Sequence, residues 1–451
     1  MMLDKAELDL LRDALATLDD GFAALPAFEQ NVDHDAIATV LGEVAKRMHD
    51  NFPYFHPMYA GQMLKPPHPV ARLAYAMSLW INPNNHALDG GRASSALEKE
   101  CIVELGRMFG FEKPLGHLTG GGTMANLEAL WVAGRLQPGK RVVASSLAHY
   151  THKRICDVLG IPFTAIRTRP DGEMDIAHLE ELLAAGDVGM VVATMGSTGF
   201  GYVDPLPTIL ELREQHGFRV HADAAYGGYF TLAESIRPEV QRSYQCLEHV
   251  HSIVIDPHKH GLQPYGCGCV LFRDPADGRF YKHDSPFTYF SSDELHLGEI
   301  SLECSRPGAA AVALWATHRL LPPVPGGAFA ADLDRCLHAA QEFHAQLSDS
   351  ELFHPIMAPD LDIVVYAADA SDTAEASKRA SAIFDFAAEE DLHLALIDLP
   401  SAIITHFIPE MTAESETVTC LRSVLMKPEH IDWLGPIMEI LERAATRAAK
   451  A

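Results

Sequence analysis

Apolar segments that alternate with helix-forming segments run from about residue 115 to about residue 272, and they restrict the fold more than any other feature of the chain. VGMVVATMG and HSIVIDP are apolar along nearly their whole length, which is typical of strands covered on both faces. Such strands need helical crossovers, and the intervening DIAHLEELLAAG and DPLPTILELREQHG have a helical period. We therefore predict an α/β fold with a large, mostly parallel sheet.

Further helices and strands are predicted on both sides of this unit. The first 50 residues predict two helices, and the chain beyond residue 326 mixes helices with apolar strands. The predicted strands of that second region are LDIVVYAA, HLALIDL, SAIITHFI and VTCLRSVLM. We therefore expect an N-terminal helical segment at 1–65, a large domain at 66–325 and a small C-terminal α+β domain at 326–451. The proline-glycine stretch LPPVPGG marks the second boundary.

The charge balance is strongly acidic, with 61 aspartates and glutamates against 35 lysines and arginines and a net charge of −26. Such a surface repels nucleic acid and anionic membranes, so we expect neither as a partner. The sequence has no apolar stretch long enough for a membrane span, and its first residues lack the apolar block of a secretion signal. Together with eight scattered cysteines, these features predict reduced thiols and a cytoplasmic location.

A glycine-rich turn, Thr119-Gly120-Gly121-Gly122-Thr123, precedes a predicted helix. Glycines let the backbone approach an anion, and the N-terminal end of a helix offers unpaired N–H groups and a positive dipole. The turn therefore suits a phosphate. Its spacing matches neither common nucleotide-binding loop, and an ordinary tight turn is the alternative.

Three further side chains follow predicted strands, at the ends where open α/β sheets bind ligands. His149 follows RVVASS and could stack on a flat cofactor, although an ordinary surface or core histidine is the alternative. Asp223 ends FRVHAD, where a charge needs a partner such as a protonated ring nitrogen, a neighbouring cation or a helix cap. Lys259 follows HSIVIDPH and could form a Schiff base with a cofactor aldehyde, with a solvated lysine as the alternative.

The four features occur in this order on successive α/β units, and together they match the needs of one pyridoxal 5′-phosphate (PLP). They supply a phosphate cradle, a stacking ring, a carboxylate for the pyridine nitrogen and a lysine for the aldehyde. His221 and Asp223 can share a strand face and suggest a metal, but no further ligand set has metal spacing. The residues therefore predict a PLP enzyme with Lys259 as the point of attachment and no metal.

The same motifs resemble the group II amino-acid decarboxylases, a fold type I family of PLP enzymes that includes glutamate, aromatic amino-acid and bacterial tyrosine decarboxylases. The resemblance covers roughly residues 50–320 and rests on GGGTMANLEAL, AHYTHK, ATMGSTGFGYVDP, HADAAYGG and DPHK, of which the last two are the specific ones. It implies the fold type I architecture, with Lys259 and His149 as catalytic residues. The residues that it implies at the cofactor are Gly121, Gly122, Thr123, His149, Thr198, Asp223, Ala225, His258 and Lys259.

The resemblance also implies decarboxylation of an L-amino acid to the amine and CO2, with a homodimer as the assembly. Aromatic residues at 52–59 and 287–290 favour an aromatic substrate such as tyrosine, and ordinary core packing is the alternative. Arg306 could bind a substrate carboxylate through its planar guanidinium, and an ion pair at a helix start or a subunit contact is the alternative. Tyr289 is the nearest candidate for a catalytic tyrosine on a loop.

Two motifs depart from the family pattern. Many members have Asn-Pro-His-Lys where this chain has Asp256-Pro257-His258-Lys259, and an anionic side chain beside a phosphate is unfavourable. Asp256 must therefore point elsewhere or hydrogen-bond to a donor. The segment Ser305–Gly308 resembles the sphingosine-phosphate lyases, so a PLP-dependent carbon–carbon lyase stays open as an alternative. An oxidative decarboxylase that forms an aldehyde is the other alternative.

Overall fold

The computed structural model describes residues 4–28, 31–87, 89–282 and 301–450. Within these ranges the helices are α1 (Lys5–Asp20), α2 (His34–Met48), α3 (Pro69–Ser78), α4 (Arg92–Met108), α5 (Gly122–Leu136), α6 (Thr151–Leu159), α7 (Ile176–Ala184), α8 (Leu206–His216), α9 (Pro238–Gln245), α10 (Gly308–Leu320), α11 (Ala328–Ser348), α12 (Thr373–Ala388), α13 (Ser401–Phe407) and α14 (His430–Ala448). The strands there are β1 (Leu115–Thr119), β2 (Arg141–Ser145), β3 (Phe163–Ile166), β4 (Val188–Thr194), β5 (Arg219–Asp223), β6 (Ser252–Ile255), β7 (Gly268–Phe272), β8 (Phe353–Pro355), β9 (Ile363–Ala368), β10 (Ala395–Pro400) and β11 (Thr417–Val424). Of these helices, none combines the length and the apolarity that a membrane crossing requires.

A seven-stranded sheet lies at the centre of the described chain, with its strands in the order β1-β7-β6-β5-β4-β2-β3. β7 runs antiparallel to both of its neighbours, and the strands from β6 to β3 run parallel to one another. β4 and β7 are buried along their whole length, as expected for apolar strands covered on both faces. This topology confirms the predicted α/β fold with a mostly parallel sheet.

A smaller antiparallel sheet follows in the chain, and in the described residues its order is β10-β11-β9-β8. Helices α11 and α12 pack on this sheet, and α14 packs on these two helices around a shared apolar cluster. Tyr366 of β9 lies fully buried in that cluster, against Phe343 of α11 and Phe353 of β8. The small α+β unit that the sequence predicted after the large sheet is therefore present, while the bounds 1–65, 66–325 and 326–451 stay predictions.

The prediction of a strand at SAIITHFI is wrong, because this segment forms the short helix α13. Its β-branched residues favour a strand when they are considered alone. In the folded protein Ser401, Ile404 and Ile408 are buried while Ala402 is exposed, and this spacing is that of one helix face. Packing of that face against the core therefore outweighs the local preference.

The irregular aromatic stretch between α2 and α3 packs against the small antiparallel sheet. The Ala60 N–H donates to the His393 carbonyl at 2.9 Å, and the Val424 N–H donates to the Ala60 carbonyl at 2.7 Å. Lys427 Nζ donates to the Tyr59 carbonyl at 2.7 Å and lies over the Tyr59 ring. This stretch therefore connects the N-terminal helices to the C-terminal part of the chain.

A buried ion pair joins α4 to the chain that leads into α10. Glu98 is fully buried, and its carboxylate accepts hydrogen bonds from Arg306 at 2.7 Å, from Asn85 Nδ2 at 2.6 Å and from the Leu118 N–H at 2.9 Å. Arg306 also donates to the carbonyls of Leu118 and Asn85. Removing one charge of such a pair costs about 3–5 kcal/mol, because the charge that remains buried loses its opposite charge.

We therefore expect Arg306→Met to lower the free energy of unfolding by about 3–5 kcal/mol in urea titrations. Arg443→Met is the matched control, because Arg443 pairs with Glu390 where the two side chains are 54% and 41% exposed. Loss of that surface pair should change the free energy of unfolding by less than about 1 kcal/mol. Equal losses in the two variants would contradict the importance assigned to the buried pair.

Candidate active site

The carboxyl ends of β2, β4, β5 and β6 lie at one edge of the large sheet, and a pocket of about 530 Å³ opens there. Open α/β sheets bind their ligands at this edge, because the loops that leave the strands converge there. The pocket lining includes every residue that the sequence assigned to a cofactor, namely Gly121, Gly122, Thr123, His149, Thr198, Asp223, Ala225, His258 and Lys259. The fold therefore brings these residues together.

The glycine turn presents backbone donors to the pocket. Gly121 precedes α5 with φ of +152°, which residues with a side chain rarely adopt, and no described side chain caps this helix start. The Gly120 N–H donates to the carboxylate of Glu303 at 2.9 Å, so the turn already holds one oxyanion. A Cβ at position 122 would lie 2.8 Å from Asp256 Oδ2, which excludes larger residues there. These features suit a bound phosphate.

Asp223, the last residue of β5, lines the pocket as a buried anion. Its Oδ2 accepts hydrogen bonds from His152 Nε2 at 2.8 Å and from Asn126 Nδ2 at 3.4 Å, and its Oδ1 accepts from the Ala225 N–H at 3.2 Å. Burial by itself raises the pKa of Asp223, but the hydrogen bond and the electrostatic attraction from His152 outweigh it and hold that pKa well below its ordinary value. A carboxylate that stays ionised can hold a proton on a ring nitrogen.

His221 orients the amide that supports Asp223. Burial lowers the pKa of His221 to about 3, so the ring is neutral. Its Nε2 lies 2.8 Å from Asn126 Oδ1 and its Nδ1 lies 2.8 Å from Ser252 Oγ. Since the amide oxygen can only accept, Nε2 donates to it and the Asn126 NH2 group turns toward Asp223. His221 thus holds the Asn126 amide in place, and no group of three or more His, Cys, Asp or Glu side chains in the described residues is arranged to hold a metal ion.

Lys259 follows β6 and reaches the same pocket, where its side chain is 20% exposed. Its Nζ lies 3.2 Å from Asp256 Oδ2, and His258 Nε2 lies 3.5 Å from the same oxygen. Asp256 therefore does not point away from the glycine turn. The sequence left two possibilities for Asp256, that it points elsewhere or that it contacts a donor. In the structure it contacts donors.

His149 follows β2 and contributes an uncharged ring. Burial lowers the pKa of His149 below its ordinary value, so the imidazole is neutral near pH 7. Its Nδ1 lies 2.8 Å from Thr151 Oγ1, and its ring stacks on Tyr150 with centroids 4.5 Å apart. A neutral, flat side chain can stack on a protonated pyridine ring without charge repulsion.

Three residues that shape the pocket were missed from the sequence. His152 lies three residues after His149, in the first turn of α6, and Asn126 lies four residues after Gly122 in α5, so short sequence spacings could have revealed both. Glu303 is different, because it is 183 residues from the Gly120 N–H that it contacts. No local pattern connects residues at such a separation.

Arg306 is absent from the described lining of the pocket. The described contacts of Arg306 are the buried ones with Glu98 and two carbonyls, which correspond to the ion-pair alternative for this residue. Tyr289 and the aromatic residues at 287–290 lie outside the described residues. The aromatic residues at 52–59 are near the small sheet, where the rings of Phe52 and His393 lie 4.7 Å apart.

The residues of the pocket fit PLP by their chemistry. The turn before α5 offers backbone donors to a phosphate, Asp223 offers an ionised carboxylate to a ring nitrogen, and Lys259 offers an amine to an aldehyde. His149 offers a neutral ring for stacking. Asp256 is the discordant group, because its carboxyl faces the helix start that suits the phosphate.

Comparisons with known proteins agree with this fit. A family model described as the pyridoxal-dependent decarboxylase conserved domain matches residues 131–369. The L-tyrosine decarboxylase of Levilactobacillus brevis is 26% identical over 449 residues, covering 76% of this chain and 71% of that protein. The L-aspartate decarboxylase of Thermococcus kodakarensis is 29% identical over 283 residues, covering 61% of this chain and 71% of that protein. The solved structure of Oryza sativa TDC with PLP and tryptamine matches 99% of both chains with a TM-score of 0.78 at 16% identity, which shows a shared fold of type I.

Removal of the His152 donor should raise the pKa of Asp223, because the effect of burial then dominates. A carboxyl whose pKa is lowered in the folded protein stays ionised until the pH falls through this lowered pKa. The stability that its charge supplies is lost over the same pH range. We therefore expect His152→Phe to release PLP at a pH at least about one unit higher than the wild type does. The measurement is the absorbance of cofactor retained after dialysis at a series of pH values.

His152→Gln is the control for that experiment, since its side chain retains an N–H donor while the imidazole is lost. It should retain PLP over nearly the wild-type pH range. If His152→Phe and the wild type release PLP at the same pH, the role assigned to His152 is wrong.

Proposed function

This chain belongs to the pyridoxal-dependent decarboxylase family, and we propose that it converts an aromatic L-amino acid, with tyrosine favoured, into the amine and CO2. The family makes the chain a PLP-dependent amino-acid decarboxylase, which is a carboxy-lyase. The observation that carries the proposal is that the glycine turn, His149, Asp223 and Lys259 line one pocket.

Each part of the cofactor is assigned to residues with suitable chemistry. The backbone of the glycine turn would bind the phosphate, His149 and Ala225 would flank the ring, Asp223 would face the ring nitrogen and Lys259 would hold the aldehyde. Thr198 and His258 would complete the lining. The residues proposed to contact PLP are thus Gly121, Gly122, Thr123, His149, Thr198, Asp223, Ala225, His258 and Lys259.

The protein contributes mainly charge and orientation. When bound, PLP withdraws electrons from the bond between Cα and the departing carboxylate. Asp223 would keep the ring nitrogen protonated, because its own pKa is held low. His149 would stack on the ring, and the residues that line the pocket would orient the bond that breaks.

A proton must reach Cα after the carboxylate leaves. Lys259, His149 and His258 line the pocket, but burial lowers the pKa of both histidines, so each is neutral near pH 7 and is a poor acid. Of the three, Lys259 is the group whose amine the substrate would free from the aldehyde, so this amine can carry a proton to Cα. We therefore favour Lys259 as the group that delivers the proton.

The charges of the pocket favour an aromatic substrate over an acidic one. Asp223 and Glu303 contribute carboxylates to its lining, and Lys259, which the cofactor would engage, is the only lysine or arginine among the described lining residues. A side-chain carboxylate, as in aspartate, would therefore meet negative charges without a cation to bind it. An uncharged aromatic side chain avoids this repulsion. Relatives named for tyrosine and for aspartate make these two amino acids the substrates to compare.

We expect the purified protein with PLP to release CO2 and tyramine from tyrosine with a kcat/KM at least about tenfold higher than for aspartate. Trapped CO2 and chromatography of the amine give the two rates. Lys259→Ala should form no product and should lack the visible absorbance of covalently bound cofactor. A higher kcat/KM for aspartate would overturn the aromatic preference. An aldehyde product, or cleavage of a phosphorylated amino alcohol without CO2 release, would instead identify one of the two alternative reactions.

We also propose a homodimer that resides in the cytoplasm. Helix α2 buries none of its residues, and it exposes the apolar side chains of Val40, Leu41 and Val44. Helix α1 exposes Leu8 and Leu10 in the same way. Exposed apolar faces of this kind are typical of interaction surfaces, and a second copy of the chain is the partner that the fold type I resemblance implies.

A negative charge on this face should break the dimer. Leu41→Glu should sediment as a monomer at a concentration where the wild type sediments as a dimer, because the charge would be buried in the interface. Lys46→Glu lies on the opposite side of α2 and should stay dimeric. A wild-type monomer, or a dimer in both variants, would contradict the assigned interface.

A further inference from the structure

Asp256 places a buried carboxyl group at the start of α5, where the proposed site takes a phosphate. The side chain is 4% exposed, and a Cβ built on Gly122 would lie 2.8 Å from its Oδ2 and 3.1 Å from its Oδ1. Its backbone is tied on both sides, since the Asp256 N–H donates to the Ala225 carbonyl and its own carbonyl accepts from the Lys259 N–H. The carboxyl therefore stays at the helix start.

The two oxygens of Asp256 differ in their surroundings. Oδ2 lies 3.2 Å from Lys259 Nζ and 3.5 Å from His258 Nε2. Oδ1 is buried and has no hydrogen-bond partner among the described residues. Buried polar atoms are nearly always paired, so an unpaired carboxyl oxygen beside a helix start indicates that a ligand group completes its bonding.

Lys259 is the only cation that compensates the charge of Asp256 in the described surroundings. The titratable groups that face Asp256 from the packed elements are His149, Tyr229, His258, Lys259, Tyr265, Cys267 and Cys269. Burial lowers the pKa of both histidines and raises the pKa of the tyrosines and of the cysteines, so these groups are uncharged near pH 7. Lys259 is also the residue that the cofactor aldehyde engages in the proposed site.

We propose that Asp256 couples capture of PLP to proton uptake, because its carboxyl gains a proton from solvent when the phosphate enters the glycine turn. An ionised Asp256 and a phosphate at the same helix start would repel each other strongly in a site that excludes water. A protonated Asp256 removes this repulsion, and its O–H can donate to a phosphate oxygen. This inference rests on the proposed cofactor site and adds a role for the residue that departs from the family pattern.

The experiment measures protons and not activity. Full-length protein freed of cofactor is titrated calorimetrically with PLP in two buffers of different ionisation enthalpy, for the wild type and for Asp256→Asn. The wild type should take up about one proton per site more than the variant. The affinity of the wild type for PLP should also fall with rising pH more steeply than that of Asp256→Asn, by an additional factor of about ten per pH unit.

Two controls separate the phosphate from other causes. Pyridoxal has the aldehyde and the ring but no phosphate, so the wild type and Asp256→Asn should take up equal numbers of protons with it. Asp277→Asn removes another buried aspartate, which pairs with Arg219 at 2.6 Å outside the described lining of the pocket. This variant should show the wild-type proton uptake with PLP.

The outcomes distinguish the inference from the proposed function. If the wild type does not bind PLP, the proposed cofactor site fails. If PLP binds with equal proton uptake in the wild type and Asp256→Asn, only the coupling through Asp256 fails. A difference that persists with pyridoxal would assign the proton to the contact with Lys259 and would also overturn the inference. If Asp256→Asn does not fold, Asp256→Ser replaces it, because serine lacks the charge but retains a hydroxyl donor. This variant should also take up about one proton per site less than the wild type when PLP binds.

Discussion

A buried carboxylate stays ionised only when donors compensate its lost hydration, and the pocket depends on how Asp223 meets this need. His152 supplies the short hydrogen bond, and His221 orients the amide of Asn126 toward the same group. These residues come from β5, α5 and α6, so the charge of one side chain depends on the packing of three elements. The chemistry that the site can perform follows from this arrangement, because a protonated ring needs a partner that remains an anion.

The parallel sheet explains why such distant residues can cooperate. Strands that run in the same direction end at one edge, so the segments after β2, β4, β5 and β6 meet there although they are far apart in the chain. The glycine turn adds the free backbone donors of a helix start to the same edge. A strand order with antiparallel neighbours at these positions would distribute the segments over both edges.

Negative charge is the other property that governs the pocket. Asp223, Asp256 and Glu303 all line it, and each contacts a donor in the protein. A ligand that brings its own negative charge must displace or neutralise these contacts. This requirement bears on the cofactor, through its phosphate, and on the substrate, through its side chain, so the same carboxylates influence both.

The sequence by itself determined the α/β fold, the glycine turn and the residues Asp223 and Lys259, since apolar period, turn chemistry and strand-end position are local properties. The strand predicted at SAIITHFI failed because burial of one helix face outweighed β propensity. Only the tertiary structure decided that Arg306 pairs with Glu98, that Glu303 reaches the Gly120 N–H and that Asp256 turns toward Lys259. The direction of a charged side chain depends on partners from distant elements, and those partners are defined only when the chain has folded.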